Sequence, residues 1–147
     1  ILQGLETISL RMKTHCENAS KVAYFLENHK SVDRVIYPEL QTGTSKKNAE
    51  KYLNKGFGGL VGFELKGGAE TGKKFIDNLN LFYHVANIGD SRSLAIHPAT
   101  TTHSQLSDED KLKSGVSDSY VRLSVGIEHI DDIIDDLTLA LDKSQEK

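Results

Sequence analysis

The sequence predicts an α+β fold in which a sheet of four or five short strands carries helices on one face. Three observations lead to this prediction. The 147 residues are the length of a single domain. The first and last helical patterns are the longest, and short strand-like runs alternate with further helical patterns between them. Connections short enough for hairpins are also scarce between the strand-like runs.

The first 55 residues predict a long helix, a short strand and a short helix. Residues 2–29 repeat apolar side chains at steps of three and four, the spacing of one helix face. These side chains are Leu5, Ile8, Met12, Cys16, Ala19, Val22, Ala23 and Leu26. The alternating run "SVDRVIYP" predicts a strand that ends at Pro38. Residues 44–54 predict a helix capped by Thr44 or Ser45.

The remaining elements alternate in the same manner. "GLVGFELKG" predicts a strand, and residues 70–80 predict a helix with Phe75, Ile76 and Leu79 on one face. "FYHVANIG" and "SLAIHP" predict two more strands. Residues 100–118 are polar, with a brief predicted helix at "SDEDKLKS". The strand "YVRLSVGI" and a helix from about residue 130 close the chain.

Composition excludes several classes of function. The net charge is −3 and the 18 lysines and arginines are scattered, which argues against nucleic acid as a partner. No apolar run approaches the ~20 residues that span a bilayer, so we expect no membrane partner. No basic region followed by an apolar region opens the chain, so we expect no secretion signal, and the single Cys16 cannot form an internal disulfide. Both features predict a cytoplasmic protein.

Two motifs match cofactor or metal signatures, but ordinary structural explanations fit them better. Asp131, Asp132 and Asp135 form a DDxxD pattern, yet they fill the solvated face of an amphipathic helix. "GFGGLVG" precedes a strand, whereas a dinucleotide fingerprint follows one. It therefore predicts a loop, then a strand with close backbone approach at Gly62.

The remaining candidate chemistry is sparse. The six histidines show no metal-ligand spacing, so we expect no metal site. Cys16 lies on the apolar stripe of the first helix, which favours a small buried side chain over a nucleophile.

Residues 84–103 and Arg122 each leave two alternatives open. The segment "HVANIGDSRSLAIHPATTTH" places polar turn residues between apolar runs, so it forms either a binding site or an ordinary capped loop. Arg122 alternates with Val121 and Leu123 on a strand. It therefore either lies on a solvated face or offers its planar fork of donors to a carboxylate.

Three segments together resemble the Cys/Met-metabolism family of pyridoxal-phosphate (PLP) enzymes, which have the fold-type-I aminotransferase architecture. "GLETISLRMKTHCENA" is similar to the long helix that leads out of the family's cofactor domain. "VANIGDSRSLAIHPATTTHSQL" resembles its substrate-specificity segment, and "VRLSVGIEHIDDIIDDLTLAL" its closing strand and helix. The resemblance implies a small C-terminal domain over residues 1–147 with a mostly antiparallel sheet. Residues 1–30 would be the linking helix from an absent PLP-binding domain.

The resemblance also implies a reaction. Asn87-Ile88-Gly89 followed by "SLAIHPATTTH" is most similar to O-acetylhomoserine sulfhydrylases, whereas relatives acting on cystathionine or methionine usually have SLG in place of Asn87-Ile88-Gly89. The implied reaction replaces acetate by sulfide on O-acetylhomoserine and gives homocysteine. The acyl group, acetyl or succinyl, and the range of nucleophiles stay open.

Residue roles follow from the same resemblance. Arg122 would bind the α-carboxylate of an amino-acid substrate, Asn87 and the backbone at Ile88 would line that site, and Thr102 and His103 would brace the arginine. The family's Schiff-base lysine, the aspartate on its pyridinium nitrogen and its phosphate cradle belong to the large domain. We therefore expect no catalytic and no cofactor-binding residue in these 147 residues.

The expected whole protein is a homotetramer that uses PLP, and this chain alone is expected to be inactive and free of cofactor. The start at Ile1, inside a helical pattern, also predicts a piece of a longer protein. Two other classes of function stay open. One is a free-standing module that binds an amino acid and regulates a partner. The other is a structural interaction domain.

Overall fold

The computed structural model describes residues 1–101 and 117–146, which form a five-stranded sheet with helices packed on it. The strands are β1 (Val32–Ile36), β2 (Leu60–Leu65), β3 (Tyr83–His84), β4 (Leu94–Ile96) and β5 (Tyr120–Ser124). The helices are α1 (Leu2–Glu6), α2 (Ile8–Glu27), α3 (Gly43–Tyr52), α4 (Ala69–Asp77) and α5 (Ile130–Ser144). The α+β prediction is confirmed.

The last strand in the sequence lies at the centre of the sheet, whose order is β1-β2-β5-β4-β3. Strand β5 pairs antiparallel with β2 and β4, and β1 pairs antiparallel with β2. The short pair β3–β4 is parallel. The sheet is therefore mostly antiparallel, as predicted. Its register places Arg122 opposite Gly62 of β2 and Ile96 of β4.

The hydrophobic core lies between one face of the sheet and helices α2, α4 and α5. Side chains alternate between faces along a strand, so Val121 and Leu123 of β5 point to this core and are fully buried. Phe75 of α4 meets Phe63 of β2 edge-on, with ring centroids 5.5 Å apart. Helices on one face of the sheet were the prediction, and the core confirms it.

The amino-terminal helix differs from its prediction in two respects. It is interrupted at Thr7, where α1 has ended and α2 begins. Its predicted apolar stripe is buried from Ala19 onward, but Leu5, Ile8 and Met12 are 55%, 45% and 41% exposed. Cys16 is half-buried, so the expectation of a buried thiol is wrong.

Helix boundaries account for the smaller corrections. The N-cap of α3 is Thr42, without a side-chain cap, so the prediction of Thr44 or Ser45 is wrong. Helix α4 ends at Asp77, and Leu79 packs on the core from the loop beyond it. The helix predicted at "SDEDKLKS" lies outside the described residues.

A buried carboxylate fixes the loop between α4 and β3. Asp136 of α5 accepts backbone N–H groups from Asn80, Leu81 and Phe82 at 2.9, 3.0 and 3.4 Å. The aspartates of α5 at 131, 132 and 135 are exposed, which confirms the solvated face predicted for them. Across residues 1–101 and 117–146, no helix is both long and apolar enough to cross a membrane. No three potential metal ligands cluster in those ranges.

Candidate functional site

Arg122 lies in the middle of the central strand, on the sheet face that points away from the helical core. Its neighbour across β2 is Gly62, which has no side chain. A Cβ atom at Gly62 would lie 2.4 Å from the hydroxyl oxygen of Tyr120, so the glycine makes room for the phenol. The close approach predicted at Gly62 is therefore made by a side chain, not by backbone.

The guanidinium of Arg122 is only partly satisfied. Its Nη2 donates to the backbone oxygen of Asn87 over 3.3 Å. Its Nε is shielded from solvent and has no hydrogen-bond partner. No carboxylate from the described residues forms an ion pair with it. A shielded donor without a partner is unfavourable by about 1–3 kcal/mol, so an incoming carboxylate would gain from binding here.

The loop at residues 87–89 reaches Arg122 through its backbone. The side-chain oxygen of Asn87 accepts the N–H of Ile88 at 2.9 Å, which leaves the backbone oxygen of Asn87 for the arginine. Gly89 has a φ of 80°, a conformation that favours glycine, and its N–H donates to Ser124 Oγ at 3.3 Å. The structure thus brings the backbone oxygen of Asn87 to Arg122, whereas the N–H of Ile88 is bonded to the Asn87 side chain.

A second set of contacts, which sequence reasoning missed, anchors the far end of this loop. Glu128, just after β5, accepts the N–H of Ser93 at 2.6 Å and its hydroxyl at 2.9 Å. Ser93 Oγ in turn accepts the N–H of Gly126 at 2.8 Å. The pair is 35 positions apart in sequence, and nothing in the local pattern predicts it.

Helix α2 is tied to the end of β5 by two buried polar residues. His15 Nδ1 donates to the backbone oxygen of Val125 at 2.6 Å. Asn18 donates to the backbone oxygens of Gly126 and Glu128 at 3.1 and 3.0 Å. His15 and Val125 also line a cavity of about 80 Å³, together with Met12, Ile88 and Gly89.

His97 organises the segment after β4. It is fully buried, and its Nε2 donates to the backbone oxygen of Asp118 at 2.7 Å, while Nδ1 lies 3.0 Å from Thr100 Oγ1. Burial lowers the pKa of His97 below its usual range. The bracing residues implied by resemblance, Thr102 and His103, lie outside the described residues, so their role stays a prediction.

The family model described as "Cys/Met metabolism PLP-dependent enzyme" matches residues 1–142. The chain belongs to that family. An O-acetyl-L-homoserine sulfhydrylase from Leptospira meyeri is 56% identical over 142 residues, which cover 96% of this chain and 32% of the relative. An L-methionine gamma-lyase from Fusobacterium nucleatum subsp. polymorphum is 44% identical, covering 97% of this chain and 36% of that enzyme.

A solved structure from this family gives the same picture of the fold. The crystal structure of a protein assigned as an O-acetylhomoserine (thiol)-lyase from Campylobacter jejuni matches with a TM-score of 0.89 and 44% identity. The match covers 96% of this chain and 34% of that one, and that protein carries a pyridoxyl-lysine monophosphate. The chain therefore spans about a third of the length of the relatives it matches.

The family depends on PLP, and the described residues do not fit a complete site for this cofactor. A Schiff-base lysine needs a recess that also holds the phosphate and the ring. Every lysine in residues 1–101 and 117–146 is exposed or half-buried. Lys66, which follows β2, donates to the backbone oxygen of Lys30 at 2.9 Å. What these residues do offer is the partly satisfied guanidinium of Arg122, which suits a carboxylate.

Proposed function

We propose that this chain supplies the substrate-carboxylate site of a PLP-dependent O-acetylhomoserine sulfhydrylase. The observation that carries the proposal is the half-buried guanidinium of Arg122, with an unpartnered Nε, beside the backbone oxygen of Asn87. A planar guanidinium binds a carboxylate through two parallel hydrogen bonds, which orients the rest of the substrate. The cofactor would supply electron-sink chemistry from the part of the enzyme that this chain does not span.

In the proposed reaction the bond between the substrate's γ-carbon and its acetate oxygen breaks, and a bond from that carbon to sulfur forms. Hydrogen sulfide and O-acetylhomoserine thus give homocysteine and acetate. The 56% identity to an enzyme named as O-acetyl-L-homoserine sulfhydrylase supports this choice of substrate. The sequence Asn87-Ile88-Gly89 supports it as well, through the resemblance described above.

A methionine-cleaving activity is the second candidate, because one relative at 44% identity is named L-methionine gamma-lyase. Both reactions need the same α-carboxylate contact, so Arg122 serves either. Assays of the intact protein with O-acetylhomoserine plus sulfide, and separately with methionine, distinguish them. Formation of homocysteine supports the first candidate, and release of methanethiol and 2-oxobutanoate supports the second.

Substitution of Arg122 tests the proposed site in the intact PLP-containing protein. We expect Arg122→Ala to keep the cofactor absorbance and to lower kcat/KM by roughly 10- to 150-fold, the equivalent of about 1.5–3 kcal/mol for a charge-assisted contact. Arg122→Lys keeps the charge without the fork and should lose less. Arg11→Ala is the matched control, because Arg11 contacts Thr7 and Gly4 of the first helices. Unchanged kinetics in Arg122→Ala would remove this residue from the site.

The division of the site between two parts of a longer enzyme has a separate test. The 147-residue chain is incubated with PLP and reduced with borohydride, and pyridoxyl-lysine is mapped by mass spectrometry. We expect no stoichiometric label at a single lysine. Complete labelling of one lysine would show that the chain carries its own cofactor site. Homotetrameric assembly and a cytoplasmic location belong to the same proposal, and light scattering on the intact protein measures the former.

A further inference from the structure

The geometry points to Arg34 as a positioning residue. Arg34 forms an ion pair with Glu64 and so leaves Arg122 free to bind the substrate carboxylate, an inference that rests on the proposed function. Arg34, Glu64 and Arg122 lie on three adjacent strands of the same sheet face. None of the sequence patterns or resemblances above assigns a role to Arg34 or Glu64.

Strand register brings the two opposite charges within reach of each other. Gly62 pairs with Arg122 and Glu64 pairs with Tyr120, so Glu64 and Arg122 are diagonal neighbours across β2 and β5. Diagonal neighbours in an antiparallel pair are about 7–8 Å apart at the backbone, which long side chains can bridge. Gly62 contributes no side chain there, and the phenol of Tyr120 fills the space over it.

The structure nevertheless holds these charges apart. Glu64 Oε1 lies 2.9 Å from Nη2 of Arg34, its direct partner in β1. Arg122 turns to the opposite side and donates to the backbone oxygen of Asn87. Glu64 therefore faces β1 and Arg122 faces β4. The acid that could neutralise the arginine is already paired.

The phenol of Tyr120 lies between the two charged side chains. Its ring packs over Gly62, and burial raises the pKa of its phenol. The charge of Arg122 opposes that rise in the pKa of Tyr120, and the charge of Glu64 adds to it. Both side chains are therefore close enough to the phenol to act on it.

Loss of Arg34 would leave the Glu64 carboxylate without its partner, in a side chain that is only 14% exposed. A poorly hydrated carboxylate without a partner is unfavourable, so it would turn to another cation. Lys66, the next residue on this face of β2, is also a cation, but its exposed ammonium is strongly hydrated, whereas the guanidinium of Arg122 is partly buried and has an unpartnered Nε. Arg122, diagonally across, is the available partner, and Glu64 would then compete with the substrate.

The test is the affinity of the intact PLP-containing protein for L-norleucine, an α-amino acid with an unreactive side chain, measured by calorimetry. We expect Arg34→Met to weaken binding about fivefold, the upper strength of a cross-strand charge pair. Adding Glu64→Gln to Arg34→Met should restore the wild-type affinity, because the competing charge is then gone. Arg34→Lys should bind like the wild type.

Glu64→Gln also removes the unpaired carboxylate from the sheet, so urea midpoints of the same variants are measured beside the affinities. A positioning role predicts weaker binding by Arg34→Met under conditions where that variant is fully folded. Wild-type affinity in Arg34→Met, or a double variant that stays weak, overturns the inference while Arg122→Ala still weakens binding. If Arg122→Ala binds L-norleucine as tightly as the wild type, the proposed carboxylate site is wrong, and the proposed role of Arg34 is wrong as well. If the variants behave as expected but O-acetylhomoserine is not consumed, the assigned reaction fails and the role of Arg34 stands.

Discussion

The two faces of the sheet are built from alternate residues of the same strands, yet they have opposite character. On the helical face, Val121 and Leu123 of β5 are sealed beneath α2, α4 and α5. On the other face, Arg122 is half-buried and lacks a full set of partners. Because successive side chains of a strand point to opposite faces, one set can stabilise the fold while the other set offers polar groups for binding.

This contrast shows where substitutions should affect folding and where they should affect binding. The helical face gains its stability from removing apolar area from water. The open face contributes little such area but carries the polar groups that contact Asn87 and the loop beyond it. Each variant below tests that division.

The largest expected effect is on the helical face. Phe63→Ala should lower the free energy of unfolding by about 3–5 kcal/mol, because it empties a fully buried site against Phe75. Leu60→Ala, on the open face of the same strand and 39% exposed, is the matched control and should cost less than about 1 kcal/mol. Urea denaturation measures both. Equal losses would contradict the division between the faces.

A smaller effect is expected from filling the space at Gly62. Gly62→Ala should lower the free energy of unfolding by about 1–3 kcal/mol, because the added Cβ would overlap the phenol of Tyr120. The same substitution in a Tyr120→Ala background should cost much less. A double-mutant cycle in urea measures the coupling, and additive losses would show that Tyr120 does not cause the strain.

Loss of the Ser93 hydrogen bonds that anchor the loop should lower the free energy of unfolding by about as much as loss of one buried hydrogen bond. Ser93→Ala leaves the N–H of Gly126 without its acceptor and should cost about 1.5 kcal/mol. The N–H of Gly126 should also exchange faster with solvent. Ser91→Ala is the control, because Ser91 contacts this region through its backbone oxygen, which accepts the N–H of Ile127. Unchanged exchange at Gly126 would argue against the anchor.

The smallest expected effect is on pH dependence. His97 packs against Gly72 of α4, and burial holds its pKa below the usual 6.5. The unfolded chain therefore binds the proton more tightly, so stability is complete above pH 6.5 and falls as the pH drops. The loss between pH 7 and pH 6 should be at most about 0.7 kcal/mol from this residue.

A His97→Gln variant should flatten that pH slope. It should not abolish the slope, because burial also lowers the pKa of His29. Urea midpoints at pH 7 and pH 6 measure the difference, and the slope is compared rather than the absolute stability. An unchanged slope in the variant would show that His97 does not control it.

Periodicity predicted the helices and most strands because each has one buried side. It failed where local bonding ended an element early. "FYHVANIG" forms a strand only at Tyr83–His84, since the N–H groups of Val85 and Asn87 bond two residues back, to Tyr83 and Val85. The stripe on the first helix has helical spacing, but spacing alone cannot indicate that Leu5 and Ile8 are exposed.

The candidate site was predictable only in part. A lone arginine in a strand and the residues at 87–88 could be named from the sequence, with the family resemblance deciding between open alternatives. The contacts of Ser93 with Glu128 and of Arg34 with Glu64 could not, because each depends on strand order and register. Those quantities follow from the packing of the whole sheet rather than from local sequence.

The central position of β5 also constrains how the chain can fold during synthesis. The ribosome makes residues 120–124 after the four other strands, yet these residues join β2 to β4. Until they emerge, the antiparallel β1–β2 pair and the β3–β4 pair have no strand to link them. Late, long-range pairing of this kind slows folding and leaves strand edges exposed to other chains. A polypeptide truncated before Tyr120 would therefore expose the inner edges of both pairs and be prone to aggregate.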